Sequence, residues 1–315
     1  MNDLQNLLDG ARKATGDIGT YSADGTLRHV VEQRAATVRQ LNLRTAEMPA
    51  FAQNPLRALR TTLPAGTEAG VTTTLGHALI AGSRCAEAGA RIIVVPAAEP
   101  AKSINGNVVF QRRDMRFDLI EPAQFASVPD GVDLPLTELP IYRDAVDLEQ
   151  MPMVGVHVSL TRAEARQYED GELATSAMTS IMLGLARAAD TILLGAIVAK
   201  NPDAFGLHKA AAAGLKFGEL RAIIGTNGAG AAVAPDGKLR AGWGASGDTT
   251  GIVAEFTDVM AETLIGDFSR AAIAVHDEIR LIADRASARG DLTLTVWAGI
   301  QALLPRPGVF WVRGQ

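Results

Sequence analysis

The residues whose types and spacing come nearest to chemistry form a glycine run, Gly225-Thr226-Asn227-Gly228-Ala229-Gly230-Ala231-Ala232-Val233. Glycines let backbone amides approach a pyrophosphate, and such a loop opening a helix holds a dinucleotide. Here Val233 stands where the third glycine is required, no long helical pattern follows, and Pro235-Asp236-Gly237 makes a turn instead. A nucleotide site is therefore not expected. Gly244-Ala245-Ser246-Gly247-Asp248 lacks the spacing of a nucleophile elbow, and no Walker lysine motif is present. His29, His77, His157, His208 and His276 are scattered singly, with no two at metal-ligand spacing. The carboxylates of Glu169/Asp170 and Asp277/Glu278 are sequence neighbours at element ends, where capping and solvation account for them. A general acid and base would need to oppose each other across a cleft. The single cysteine, Cys85, excludes an intrachain disulfide framework and a multi-cysteine metal site, and its small, apolar surroundings read as packing rather than reactivity. The expectation is a chain with no catalytic residue, no cofactor and no metal.

Composition points the same way. Of 315 residues, 47% are hydrophobic and 21% charged, enough for a core of one or two domains and too apolar for a disordered tail. Aromatics make up 5% and the net charge is −5, so base stacking and phosphate gripping are both poorly provided for. Any nucleic acid nearby would be contained and touched non-specifically. No leader pattern opens the chain and no stretch approaches the roughly 18 uninterrupted apolar residues of a membrane span, so a soluble protein made in the cytoplasm, with no membrane partner, is expected.

The elements follow from periodicity. Residues 1 to about 65 read as an arm with one helix around Leu27 to Leu41, whose Leu27, Val30, Val31, Val38 and Leu41 suit one face but are too few for a core. The arm either lies on something else or docks on its own domain. A small-residue helix over Gly76 to Ala90 precedes the strand Ile92-Ile93-Val94-Val95 and the stop at Pro96. From about Val108 to Gln150, short alternating stretches flank a Pro- and Asp-rich segment, the pattern of a long two-stranded excursion with little core of its own.

Next comes the longest element, a helix from about Asp170, its N-cap, to Val198. Leu173, Ala177, Ile181, Leu185, Ala188, Ile192 and Ala196 form one stripe, with Met178, Met182, Ala189 and Leu193 beside it. A Gly- and Ala-rich region runs to about Asp248. In the last third, Leu292, Leu294, Val296, Ala298 and Ile300 alternate with Thr293, Thr295, Trp297 and Gly299, which specifies a half-buried strand. Ala271, Ile273, Val275, Ile279 and Leu281 supply a further antiparallel candidate. The class is α+β, one long helix lying on an antiparallel sheet.

Four stretches, in order, resemble the HK97-type capsid fold of tailed phages. Asp133-Leu134-Pro135-Leu136-Thr137-Glu138-Leu139 is similar to the returning side of that family's E-loop. Val158-Ser159-Leu160-Thr161-Arg162 precedes the spine helix, which closes on Asp190-Thr191-Ile192-Leu193-Leu194-Gly195. Ile265-Gly266-Asp267-Phe268-Ser269, then Thr295-Val296-Trp297-Ala298 through Arg306-Pro307-Gly308-Val309-Phe310, resemble the closing strands. The likeness covers roughly residues 76 to 315 and departs from the family in its short stretch between spine helix and Gly266.

The resemblance implies an N-terminal arm (1–65), a P-domain segment (66–107), an E-loop (108–150), a P domain with the spine helix (151–200), a compact A domain (201–265) and return strands (266–315). It implies a major capsid protein, not an enzyme, assembling with itself as hexamers and pentamers into the icosahedral shell of a virion around double-stranded DNA. Portal, scaffolding and decoration proteins are the further partners implied. An encapsulin-type nanocompartment shell shares the fold and stays open; an enzyme with an unfamiliar α+β domain is the third reading. Arg112, Arg113, Arg116, Asp118, Glu121, Asp130, Asp133 and Arg143 on the E-loop, and Leu27, Val31 and Val38 on the arm, are the expected intersubunit contacts. None of the six lysines, Lys13, Lys102, Lys200, Lys209, Lys216 and Lys238, falls between Val108 and Gln150, so the lysine-asparagine cross-link that some members of the family make is not expected.

Overall fold

The computed structural model describes residues 2–13, 40–42, 75–96, 99–104, 107–111, 115–123, 125–127, 136–168, 172–228, 230–234, 236–241, 251–285 and 291–313. The helices among them are α1 (Asn2–Lys13), α2 (Leu75–Gly82), α3 (Arg84–Glu87), α4 (Arg162–Ala165), α5 (Glu172–Val198) and α6 (Leu207–Ala212). The strands are β1 (Gln40–Asn42), β2 (Arg91–Val95), β3 (Glu99–Ile104), β4 (Asn107–Gln111), β5 (Arg116–Ile120), β6 (Ile141–Ala145), β7 (Met153–Leu160), β8 (Arg221–Ile224), β9 (Ala231–Val233), β10 (Leu239–Ala241), β11 (Ile252–Phe256), β12 (Thr263–Gly266), β13 (Ala272–His276), β14 (Arg280–Arg285), β15 (Leu292–Leu303) and β16 (Phe310–Val312).

β15 organises the first sheet. Its register runs Leu303 opposite Ala272 and Ile300 opposite Val275, then Trp297 opposite Arg280 and Leu292 opposite Arg285, so β13 and β14 are consecutive pieces of one row facing it. Along its other edge β7 pairs antiparallel from Leu292 opposite Leu160 to Gly299 opposite Met153. β1 adds to β14 antiparallel, and β2 adds to β13 in parallel. The expected all-antiparallel sheet is thus mixed. The second sheet, in the order β16-β12-β8-β11-β10-β9, also holds one parallel pair, β8 with β11. It is built from β8, β9 and β10 of the Gly- and Ala-rich region, β11 and β12 just after it, and β16 from the C-terminal segment.

α5, at about 1.5 Å per residue, is roughly 40 Å long. Its buried side carries Leu173, Ala174, Met178, Ile181, Met182, Leu185, Ala186, Ala189, Leu193, Leu194 and Ile197, while Ala177, Ala188, Ile192 and Ala196 are half-buried. The stripe is therefore rotated from the expected one toward the row containing Met182 and Leu193. The cause is that α5 is covered by α1, α2 and α3 as well as lying over β15. By length and composition this helix could cross a membrane; in the fold it is the core helix, packed with Leu294, Val296 and Ile300.

Three expectations change. The helix around Leu27 to Leu41 does not reach its predicted end, because Leu41 lies in β1 opposite Leu281, where sheet pairing overrides local periodicity. The arm instead begins with α1, whose Leu7 and Leu8 are buried in the main core, so this part of it docks on its own chain. Gly299, placed on the outward face of β15, is buried because the Met151 thioether lies over it: a Cβ there would meet Sδ at 2.8 Å.

Met151 belongs to a second apolar cluster on the outer face of the first sheet, with Val95, Phe117, Ala272, Ala274 and Leu303. β13 is buried on both faces for this reason, Ile273 and Val275 toward α5 and Ala272 and Ala274 toward Phe117. The excursion is thus seated at its base. It contains the β5–β6 ladder, while the β3–β4 ladder begins at Glu99, before the expected start at Val108. The position Asp170, expected to cap α5, lies outside the described residues.

Candidate assembly surfaces and the ionic joints behind them

The β5–β6 ribbon runs Arg116 opposite Ala145 to Ile120 opposite Ile141. Of the charges expected on it, Arg116, Asp118 and Arg143 meet one another: Arg116 Nε lies 3.2 Å from Asp118 Oδ2, and Arg143 Nε 3.4 Å from Oδ1. Both arginines are more than half exposed, and exposed pairs of this kind are worth about 0–1 kcal/mol. Glu121 is different. It is nearly buried, and its Oε1 accepts from the guanidinium groups of both Arg270 and Arg306. Arg270 Nε also donates to Asp267 Oδ2 at 2.9 Å, while Asp267 Oδ1 accepts from the amide and hydroxyl of Ser269. Arg306 stacks over the Tyr142 ring, 5.4 Å from its centroid. Arg112, Arg113, Asp130, Asp133, Leu27, Val31 and Val38 lie outside the described residues.

Around and beyond Glu121 the ribbon carries large apolar side chains that nothing among the described residues covers. Phe125 and Leu136 are fully exposed, and Ile120 and Leu139 are each 74% exposed. Next in sequence, β7 is an edge strand of eight residues, Met153-Val154-Gly155-Val156-His157-Val158-Ser159-Leu160, without a charge or a proline. Edges of monomeric proteins are commonly blunted by just those residues. Met153 and, beside it on the outer face of β15, Trp297 remain exposed, as do Val156 and Val158 on the other face. His157, one of the scattered histidines, shares a hydrogen bond with Thr295 Oγ1 at 2.7 Å on the outer face.

On the opposite side of the first sheet lies a buried carboxylate whose role the sequence pattern did not predict. Asp190 sits on the apolar side of α5, 3% exposed. Its Oδ1 accepts from Ser83 Oγ at 2.5 Å and from the Cys85 amide at 3.1 Å, and its Oδ2 accepts from the Arg84 amide at 2.8 Å. Ser83 Oγ in turn accepts from the Ala86 amide, and the Ser83 carbonyl takes the Glu87 amide. Every orphan N–H at the start of α3 is thereby satisfied. Burial pushes the Asp190 carboxyl up, against the hydrogen bonds from Ser83, Arg84 and Cys85 that pull it down. Burial and the adjacent Asp190 charge raise the Cys85 thiol well above its ordinary range, in keeping with a packing residue.

The Asp190 cap adjoins the seam between the two sheets. Arg84 reaches Glu87 at 3.3 Å and Glu255 of β11 at 3.9 Å, and burial together with the Glu87 charge raises the Glu255 carboxyl. Arg187 of α5 holds Asp258 with two hydrogen bonds, 3.2 and 2.8 Å. Asp190 and Arg306 each open a stretch that resembles the capsid family, which gave neither a partner, and Asp190 is also a charge on an apolar stripe; Arg270 carried no signal.

The glycine run is spent on the backbone. The Gly225 amide bonds to the Glu262 carbonyl, Thr226 to Met260 and Asn227 to Ala261, so these amides are not presented to a ligand. A Cβ at Gly225 would lie 2.4 Å from the carbonyl oxygens of both Ala261 and Glu262, which is why glycine is needed. Among the described residues no group of three or more His, Cys, Asp or Glu is placed to hold a metal.

No family model matches the chain, and no curated protein matches it. Solved structures do resemble it. The capsid of the native GTA particle is 12% identical with a TM-score of 0.44, over 78% of this chain and 92% of that one. The procapsid of satellite phage P4, which includes the size determination protein Sid, is 9% identical at 0.43, over 75% and 96%. A virus-like particle from Pyrococcus furiosus is 14% identical at 0.38, over 76% and 98%. With TM-scores below 0.5, these likenesses carry no weight for function.

Proposed function

We propose that this chain is a shell-forming structural protein, the major capsid protein of a tailed phage, which assembles with itself into an icosahedral shell around double-stranded DNA. The observation that carries the reading is the uncovered apolar surface on the β5–β6 ribbon: Ile120, Phe125, Leu136 and Leu139 stand clear of the chain that bears them. A monomer gains nothing by holding such side chains in water, and a neighbouring copy that covers them removes each from solvent. Closed symmetry multiplies that gain over every subunit. The order of sequence motifs favours a capsid over other self-assembling proteins. In that reading the ribbon is the E-loop, α5 the spine of the P domain, and the second sheet the A domain. Arg112, Arg113, Asp130 and Asp133 on the loop and Leu27, Val31 and Val38 on the arm are proposed to touch neighbouring subunits.

Negative-stain microscopy of the expressed protein, followed by analysis of particle contents, tests this. Closed particles of uniform size are expected, and particles purified from the source should hold DNA. A packaged protein would replace the virion with a nanocompartment of the encapsulin type, and a small discrete oligomer would overturn the shell itself.

A further inference from the structure

The β5–β6 ribbon is fastened to the body at two points of different kinds. The first is apolar. Phe117, 5% exposed, lies in the cluster with Val95, Met151, Ala272, Ala274 and Leu303 on the outer face of the first sheet, and the Arg91 guanidinium stands 5.7 Å over its ring. Close by, the Leu304 amide donates to Asp144 Oδ2 at 2.7 Å and Gln301 Nε2 to the Ala145 carbonyl at 3.2 Å. All of these hold the Arg116–Ala145 end of the ladder.

The second point is ionic and lies at the other end. Glu121 follows Ile120, the last residue of β5, so at about 3.3 Å per residue it is roughly 13 Å along the strand from Phe117. Its carboxylate is held by Arg270, from the turn before β13, and Arg306, from the segment after β15. Asp267, 4% exposed, fixes Arg270, and Tyr142 of the opposite strand lies under Arg306. Both strands of the ribbon are thus gripped where it leaves the body.

We infer that the Glu121–Arg270–Arg306 cluster is a latch that sets the direction in which the ribbon projects. One attachment leaves a swivel; two attachments on one short rigid ladder leave a fixed direction. The charges balance, two carboxylates against two guanidinium groups, so the joint is stable when closed. Loss of Glu121 leaves a nearly buried pair of arginines with one carboxylate, and the energetic reason for the ribbon to stay down becomes a reason to lift. Arg116, Asp118 and Arg143 belong to the ribbon alone and take no part. The latch is a property of the single chain, so its test needs no shell.

Spin labels at Phe125→Cys, on the ribbon beyond the latch, and Ser180→Cys, on α5, report the direction as a distance distribution. Cys85 is buried and is not labelled. Labelled chain is diluted into unlabelled chain so that only intrachain distances are read. The starting protein should give one narrow peak, and Glu121→Gln should lose it to a broad distribution with the far-ultraviolet circular dichroism unchanged. Arg306→Lys, which keeps the charge but loses the planar grip and the ring stacking, should broaden it in the same direction and serves if Glu121→Gln fails to fold. Asp118→Asn should keep the narrow peak. A narrow peak retained in the folded latch variants would overturn the proposal, as would equal broadening by Asp118→Asn.

Discussion

Asp190 shows how one side chain can join three elements. Its two oxygens hold the start of α3 against α5, and asparagine has one acceptor where the carboxylate has two. Asp190→Asn should therefore leave the amide of Arg84 or Cys85 facing an NH2 group and cost about 1–3 kcal/mol, read as a lower urea midpoint. The effect depends on pH with a definite sign. Burial raises the folded-state value of this carboxyl, so the folded chain holds the proton more tightly than the unfolded one. Its contribution is complete below the ordinary aspartate range and falls as pH climbs through the raised folded value. The stability gap between the parent and Asp190→Asn should accordingly be widest at the acid end and narrow as pH rises through that window; a gap that widened would contradict the assignment. Asp190 opens a stretch that resembles a family motif, but nothing local announces what it binds. Its partners are 105 to 107 positions earlier in the chain, and helical periodicity says only that a charge lies on the wrong side.

At the scale of elements, close approach between α2 and α5 is enforced by small residues. A Cβ at Gly82 would stand 2.8 Å from the Cβ of Ala186, which is itself fully buried and has no room to turn aside. Gly82→Val should separate the two helices and cost about 1–3 kcal/mol in thermal or urea unfolding, as overpacked cores do. Elements of this kind differ in how far they can be read in advance. α5 and β15 are long and strictly periodic, so both were legible, although the buried side of α5 was displaced because α1, α2 and α3 cover it from directions that periodicity does not encode. α1 was missed because its few apolar residues make sense only once the core they enter exists. The twofold seating of the ribbon was equally hidden, since Arg270 and Arg306 become its partners only through β13 and β15.

For the whole molecule, the docking of α1 and β1 changes what removal of the arm does. Leu7 and Leu8 are 2% and 0% exposed, so cutting away residues 1 to 50 strips part of the main core instead of leaving it intact. A claim that the arm clamps neighbouring subunits has to be tested by substitutions that spare α1. The mode of attachment between subunits is open to a simpler test. With no lysine between Val108 and Gln150, assembled particles boiled in denaturant should release a single band near 33 kDa, and a ladder of covalent oligomers would contradict this.

The position of β15 in the first sheet also sets a timetable. β13, β14 and β7 all hydrogen-bond to residues 292–303, whereas β12 in the second sheet already has β8 as a partner and gains β16 last. A chain emerging from the ribosome carries α5 and more than half of its strands before the first sheet can close. Such contacts between distant positions make folding slow. Until residues 292–303 have been made, the apolar side of α5 lacks the strand it chiefly packs on, and the first sheet is still in pieces. A chain interrupted before Leu292 therefore lacks the strand that joins β7, β13 and β14, and is expected to stay unfolded.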